Sequence, residues 1–157
     1  MKRTNHCAAG NWRRGWIEGW ASAASEQPRV ATLVEKTLSQ FDDIEYRLQA
    51  WVLMPNHVHL VVDVRDTPLS QLVKRWKGGT PRAANLLLGR RGAFWQEDYF
   101  DTKIRDVVHL AQAIRYVEHN PTKAKLVRNP REWPWSSARL RDDYNRPPWQ
   151  HDVASSE

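Results

Sequence analysis

The stretch WVLMPNHVHLVV, residues 51–62, decides how the chain is read. Two runs of strand-forming residues meet at Pro55-Asn56, and a two-residue turn between such runs signals a β-hairpin, with strands over 45–54 and 57–64. Proline cannot supply the positive φ of the usual primed hairpin turns, so a type I or II turn with Pro55 at its second position is expected. The second strand carries His57 and His59. Side chains at i and i+2 of a strand share one face, so these imidazoles lie side by side. The pair reads either as two half-buried histidines satisfied by hydrogen bonds or as a two-ligand clamp for one divalent cation.

Outward from the hairpin, PRVATLVEKTLSQF puts Val30, Leu33, Val34, Leu38 and Phe41 on one helical face, with Pro28 in the first turn. LSQLVKRWKGG reads as a helix ending at Gly78-Gly79, and TPRAANLLLGRRG as a second short helix. AFWQEDYFDTKI is aromatic-rich and extended, a further strand. Asp106 is a candidate N-cap for VVHLAQAIRYVEHN, whose buried stripe is Val107, Leu110, Ile114 and Val117, and Pro121 is expected to end that helix. One more helix is expected after Ser136-Ser137. Residues 1–27 show no sustained period. Trp12, Trp16 and Trp20, spaced by four among Gly, Arg and Ser, allow a short amphipathic helix at most. The whole predicts one α+β domain around an antiparallel sheet over 28–141, between a poorly defined segment 1–27 and a frayed tail 142–157.

The chain has 157 residues, enough for one domain with a real core, and carries nine tryptophans and a net charge of +6. That charge favours an acidic partner, nucleic acid before membrane. The lone Cys7 excludes an intramolecular disulfide. With no signal-peptide pattern and no apolar run of bilayer length, a cytoplasmic setting is expected.

Tyr116 and Asn120 stand four apart at the end of the helix over 107–119, so phenol and amide share a face that a nearby cation could use. The plainer account has Tyr116 flanking the core beside Ala113 while Asn120 closes the helix.

The combination PNHVHLVV, then RYVEHNPTKAKLV about sixty residues later, then WPWSSAR, resembles the HUH single-tyrosine transposase superfamily. It is most similar to the REP-associated tyrosine transposase branch, kin of the smallest insertion-sequence transposases. QLVKRWKGGTPRAANLLLGRRGAFWQEDYFD and PRVATLVEKTLSQFDDIEYRLQAWVLMPNHVHL resemble that branch in the same order, so colinear blocks cover about residues 28–141. The resemblance implies a ferredoxin-like, RRM-like sheet with helices, the palm of HUH transposases. It implies His57, His59 and Asn120 as ligands of Mg²⁺ or Mn²⁺ and Tyr116 as the nucleophile on single-stranded DNA near hairpins. The product is a 5′-phosphotyrosine with a free 3′-hydroxyl, whose reversal rejoins DNA, so no nucleotide cofactor or phosphate-cradling motif is needed. Monomers and dimers both occur among such enzymes. A histidine-triad nucleotide hydrolase, the competing HxH reading, needs a third histidine where Val61 stands.

Lys74, Arg75, Lys77, Arg82, Arg90 and Arg91 form one basic run, and Lys123, Lys125, Arg128 and Arg131 another. Both are candidate phosphate contacts flanking the site, although a solvated face is the usual fate of such runs. Trp76 and Trp95 are candidates to stack on unpaired bases, although core packing is the commoner role of a tryptophan. The resemblance also implies a central strand ahead of the first helix. Residues 1–27 show none, which predicts a truncated sheet with an open core and raises the alternative of an inactive, hairpin-binding remnant.

Overall fold

The hairpin forms as read. Strand β2 (Tyr46–Leu53) and strand β3 (His57–Val64) pair antiparallel. Met54 N donates to His57 O at 2.8 Å across the turn, and neither Pro55 nor Asn56 takes a positive φ. Proline dictates the first of these, and the negative φ at Asn56 leaves the type I form of the two expected. The computed structural model describes residues 10–19 and 27–141.

The missing strand is present. Strand β1 (Trp12–Gly19) pairs antiparallel with β3 on one side and with β4 (Trp95–Lys103) on the other. The sheet order is β2-β3-β1-β4, the ferredoxin-like arrangement, and β1 lies inside it. Expecting no strand in residues 1–27 was therefore wrong, and so was the open core inferred from it. A spacing of four is a multiple of two as well as close to one helical turn, so Trp12 and Trp16 fit a strand face as readily as a helix face. Gly15, which argues against a strand, is needed there: a Cβ would come within 3.1 Å of Phe100 O on β4. Trp20 and the tail after residue 141 lie outside the described residues.

Two helical layers sandwich the sheet. Helices α1 (Pro28–Ser39), α2 (Leu69–Gly79) and α3 (Pro81–Leu88) cover one face. There Val30, Val34, Leu38, Leu72, Val73 and Trp76 pack against Ile17, Val58, Leu60 and Val62. Helix α4 (Val107–Glu118) covers the other, where Leu110, Ala113, Ile114 and Val117 meet Ala50, Val52 and Val61. Leu33 and Phe41 pack at the first core's margin, and Val107 stays exposed, one residue fewer in the α4 stripe than expected. Asp106 caps α4 as read, accepting from His109 N at 2.8 Å.

A bulge between Leu48 and Ala50 inverts the phase of β2. Before it Tyr46 and Leu48 face the α1–α2 core; after it Trp51 and Leu53 do, while Ala50 and Val52 turn to α4. The helix does not stop outright at Pro121: a four-residue turn, α5 (Asn120–Lys123), follows, with Pro121 at its second position, where a missing N–H costs nothing. Two 3₁₀ turns, Pro130–Glu132 and Ser137–Leu140, complete the described chain.

WPWSSAR lies along the outer edge of β2. Leu53 N donates to Trp135 O at 2.8 Å, Trp51 N to Ser137 Oγ at 3.0 Å, and Trp133 Nε1 to Leu53 O at 2.9 Å. Behind it, fully buried Glu118 accepts from Arg141 Nε at 2.6 and 2.7 Å and from Ser137 Oγ, while Arg141 also donates to Gln49 O. The extra residue of the bulge thus supplies the carbonyl that completes this buried ion pair.

Candidate active site

Because β3 alternates, Val58, Leu60 and Val62 enter the α1–α2 core, and the intervening His57, His59 and Val61 face α4. His57 Nε2 and His59 Nε2 approach to 2.9 Å, with the rings edge to face at 4.6 Å. Asn56 Oδ1 lies 2.6 Å from His57 Nδ1 and can only accept, so Nδ1–H donates to it and, in the neutral ring, Nε2 keeps its lone pair. His59 is 8 % exposed, and its Nδ1 has no hydrogen-bond partner among the described residues. Burial, then the neighbouring His57 and Arg14, push the His59 pKa down to about 4. The ring is neutral at physiological pH, the form that binds metals.

Helix α4 delivers Tyr116 to the same place. Its ring stands edge-on to His59 with centroids 6.0 Å apart, and the residue is 41 % exposed. Two cations lie over the phenol ring, Arg14 from β1 at 5.1 Å and Lys123 from α5 at 4.3 Å. Asn120 turns its amide nitrogen back onto the carbonyls of Tyr116 (2.9 Å) and Val117 (3.4 Å), which leaves Oδ1 as its acceptor end. Strand and helix thus bring together His57, His59 and Tyr116, with Asn120 one turn further on. Val61 packs in the α4 core, so no third histidine completes an HxHxH set.

A divalent cation fits the pair. Two ligands about 2.1 Å from one cation at right angles are about 3 Å apart, close to the observed Nε2 separation. Among the described residues no group of three His, Cys, Asp or Glu side chains gathers, so a third protein donor would be an amide such as Asn120.

The basic residues divide. Lys123, Lys125 and Arg128 are exposed beyond α4, on the Tyr116 side. The first run belongs instead to the α1–α3 layer, across the sheet from the histidines, and does not flank them as expected. Lys74, Arg82 and Arg91 are exposed there. Arg75 pairs with Glu45 at 2.7 Å and lies over Phe41. Lys77 donates to the carbonyls of Gln96, Glu97 and Asp98, and Arg90 to Ala93 O. Trp76 does not stack on bases: it is 3 % exposed, edge-on to Tyr46 and within 3.3 Å of its hydroxyl. Trp95 packs on the same core and donates to Thr80 Oγ1 at 2.7 Å.

Sequence reasoning missed Arg14, Trp16 and Phe100. Trp16 is the register partner of both His59 on β3 and Phe100 on β4. The signal was the alternation Trp12, Arg14, Trp16, legible only once residues 12–19 are taken as a strand.

Among known proteins, a Haemophilus influenzae protein described as a candidate REP-associated tyrosine transposase is 25% identical over 148 residues, 81% of this chain and 84% of its own. The structure of a REP-associated tyrosine transposase bound to a REP hairpin superposes with a TM-score of 0.64 at 18% identity, over 87% of this chain and 82% of that one. A candidate transposase from Deinococcus radiodurans matches at 20% identity and a TM-score of 0.49, over 76% of this chain and 97% of its own. The family model described as transposase IS200 like matches residues 21–120. The chain belongs to the IS200-like transposase family.

Proposed function

We propose that the protein cleaves and rejoins single-stranded DNA beside hairpins, with Tyr116 as nucleophile. The observation that carries this reading is an exposed Tyr116 standing against buried, neutral His59 of the His57–His59 pair, with Arg14 and Lys123 over its ring. In the step, Tyr116 Oη bonds to phosphorus, the bond from phosphorus to O3′ breaks, the phenol proton is lost and the leaving oxygen ends as a 3′-hydroxyl. The reverse attack by a 3′-hydroxyl restores a phosphodiester and frees the tyrosine.

His57, His59 and Asn120 would hold Mg²⁺ or Mn²⁺. Such a cation withdraws charge from phosphate oxygens and so helps a phenol whose ordinary pKa near 10 makes it a weak nucleophile. Arg14 and Lys123 offer fixed positive charge where the substrate's phosphate would sit. Lys125 and Arg128, and on the far layer Lys74, Arg82 and Arg91, are candidates for the hairpin's phosphates, with affinity falling steeply as salt rises. With β1 in place the sheet has no gap at its centre, and the missing strand no longer argues for an inactive remnant.

Incubation with labelled hairpin DNA bearing single-stranded flanks and Mn²⁺ should give a denaturation-resistant protein–DNA adduct. Tyr116→Phe and chelation should each abolish it while DNA binding persists. An adduct surviving Tyr116→Phe would assign the nucleophile elsewhere. Binding without any adduct, across hairpins of varied sequence, would favour a DNA-binding protein without turnover.

A further inference from the structure

One rung of the sheet carries a row of rings leading out of the site. Tyr116 and His59 are 6.0 Å apart, His59 and Trp16 6.1 Å, and Trp16 and Phe100 4.8 Å with planes only 21° apart. His59, Trp16 and Phe100 are register partners on β3, β1 and β4, so the row crosses three adjacent strands. Helix α4 packs chiefly on β2 and β3, and among the described residues no helix covers the Trp16–Phe100 part of this face. Phe100, at the end of the row, is 49 % exposed. Beyond its stack on Trp16 this edge-strand aromatic packs little, and buried Phe94 with partly buried Trp95 fills the opposite face.

We propose that Trp16 and Phe100 form a stacking platform for an unpaired nucleobase of the DNA strand that enters the Tyr116 site. The proposal rests on the reading of Tyr116 as the DNA-cleaving residue and names where the strand lies relative to it. Three features favour a nucleobase over an apolar protein segment. The platform is continuous with the His59–Tyr116 pair. Arg14, two residues from Trp16 on the same face of β1, lies 5.1 Å over the Tyr116 ring and puts a cation beside the row for a phosphodiester backbone. The outward face of Phe100 extends an existing stack, which suits a flat ring better than a branched aliphatic side chain. Strand β4 lies two strand spacings from β3, roughly 10 Å, which places the bound base next to the scissile phosphate and not out in the hairpin stem. Stacking reads every base by its π-face, so the platform holds the strand without selecting its sequence.

The test uses hairpin DNA with 2-aminopurine or an abasic residue scanned through the single-stranded flank, measured against the native protein, Phe100→Ala and Phe100→Trp. One flank position should show 2-aminopurine quenching by native protein that Phe100→Ala removes and Phe100→Trp restores. An abasic residue there should weaken binding by native protein about tenfold and weaken binding by Phe100→Ala much less, because the partner ring is already gone. The loss should fall on Kd and KM more than on the rate at saturating DNA. Phe100 is exposed, so Phe100→Ala should unfold at the native denaturant concentration. Equal affinity of native protein and Phe100→Ala, or no flank position whose base matters, overturns the platform. Binding with flank-specific quenching but no adduct overturns the assignment of Tyr116 and leaves the platform standing. Failure to bind single-stranded DNA at all overturns both.

Discussion

At the scale of single residues, His59 holds the chemistry of the site in a tight place. It is buried, one nitrogen of its ring faces another imidazole, and the other has no partner among the described residues. Its ordinary pKa of 6.5 falls to about 4 in the folded protein. Below pH 6.5 the unfolded chain accepts a proton that the folded state resists, so stability falls as the pH drops from 6.5 towards 4 and is unaffected above that window. In the presence of chelator, denaturant unfolding should show a loss of about 2 kcal/mol between about pH 7.5 and pH 5, and His59→Gln should lack that component. An identical pH profile in the variant would show that His59 titrates normally. Legibility was best at this scale: the spacing of His57 and His59 and the α4 face of Tyr116 were readable because fixed periods of 2 and 3.6 decide them. Trp76 was misread because a tryptophan in a basic run looks the same in sequence whether its ring faces solvent or core. The hydrogen bond to Tyr46, thirty residues away, is what decides it.

At the scale of elements, the hairpin and α1–α4 were recoverable, since each has a strong period and turn or cap residues at its ends. Strand β1 was not. Its sequence WRRGWIEG has a glycine in mid-strand and alternates arginines with tryptophans, because both its edges are paired and its apolar neighbours come from other strands. The C-terminal segment shows the same dependence on distant partners. Nothing local in WPWSSARLR announces that Arg141 meets Glu118 and Gln49 O, 23 and 92 residues away. Arg141→Ala would leave the Glu118 carboxylate buried without its cation and should destabilise the fold by about 3–5 kcal/mol. Urea unfolding measures this; a loss below about 1 kcal/mol would mean that water or another donor replaces the guanidinium.

For the whole molecule, the order β2-β3-β1-β4 makes β1 the seam between two halves of the sheet. Removing residues 1–19 should abolish cooperative unfolding, because β3 and β4 would face each other across an empty strand position with Ile17 and Gly15 gone from the layer. A sharp denaturant transition in that shortened chain, seen by circular dichroism, would show that another segment fills the gap.

The two borders of the sheet are unlike. Along β2 the N–H groups of Trp51 and Leu53 are taken by Ser137 and Trp135, so that border is capped. Along β4 no further strand pairs among the described residues; Lys77 takes the carbonyls of Gln96, Glu97 and Asp98, and exposed Glu97, Asp98 and Lys103 add charge that deters a stray partner. The fold can therefore lengthen its sheet in one direction only. A chain cut before Trp133 would acquire a second open border, and its Ala50–Leu53 end is apolar, with no charged residue. Its characteristic failure would be self-association through β2, in which other copies supply the hydrogen bonds that WPWSS now makes.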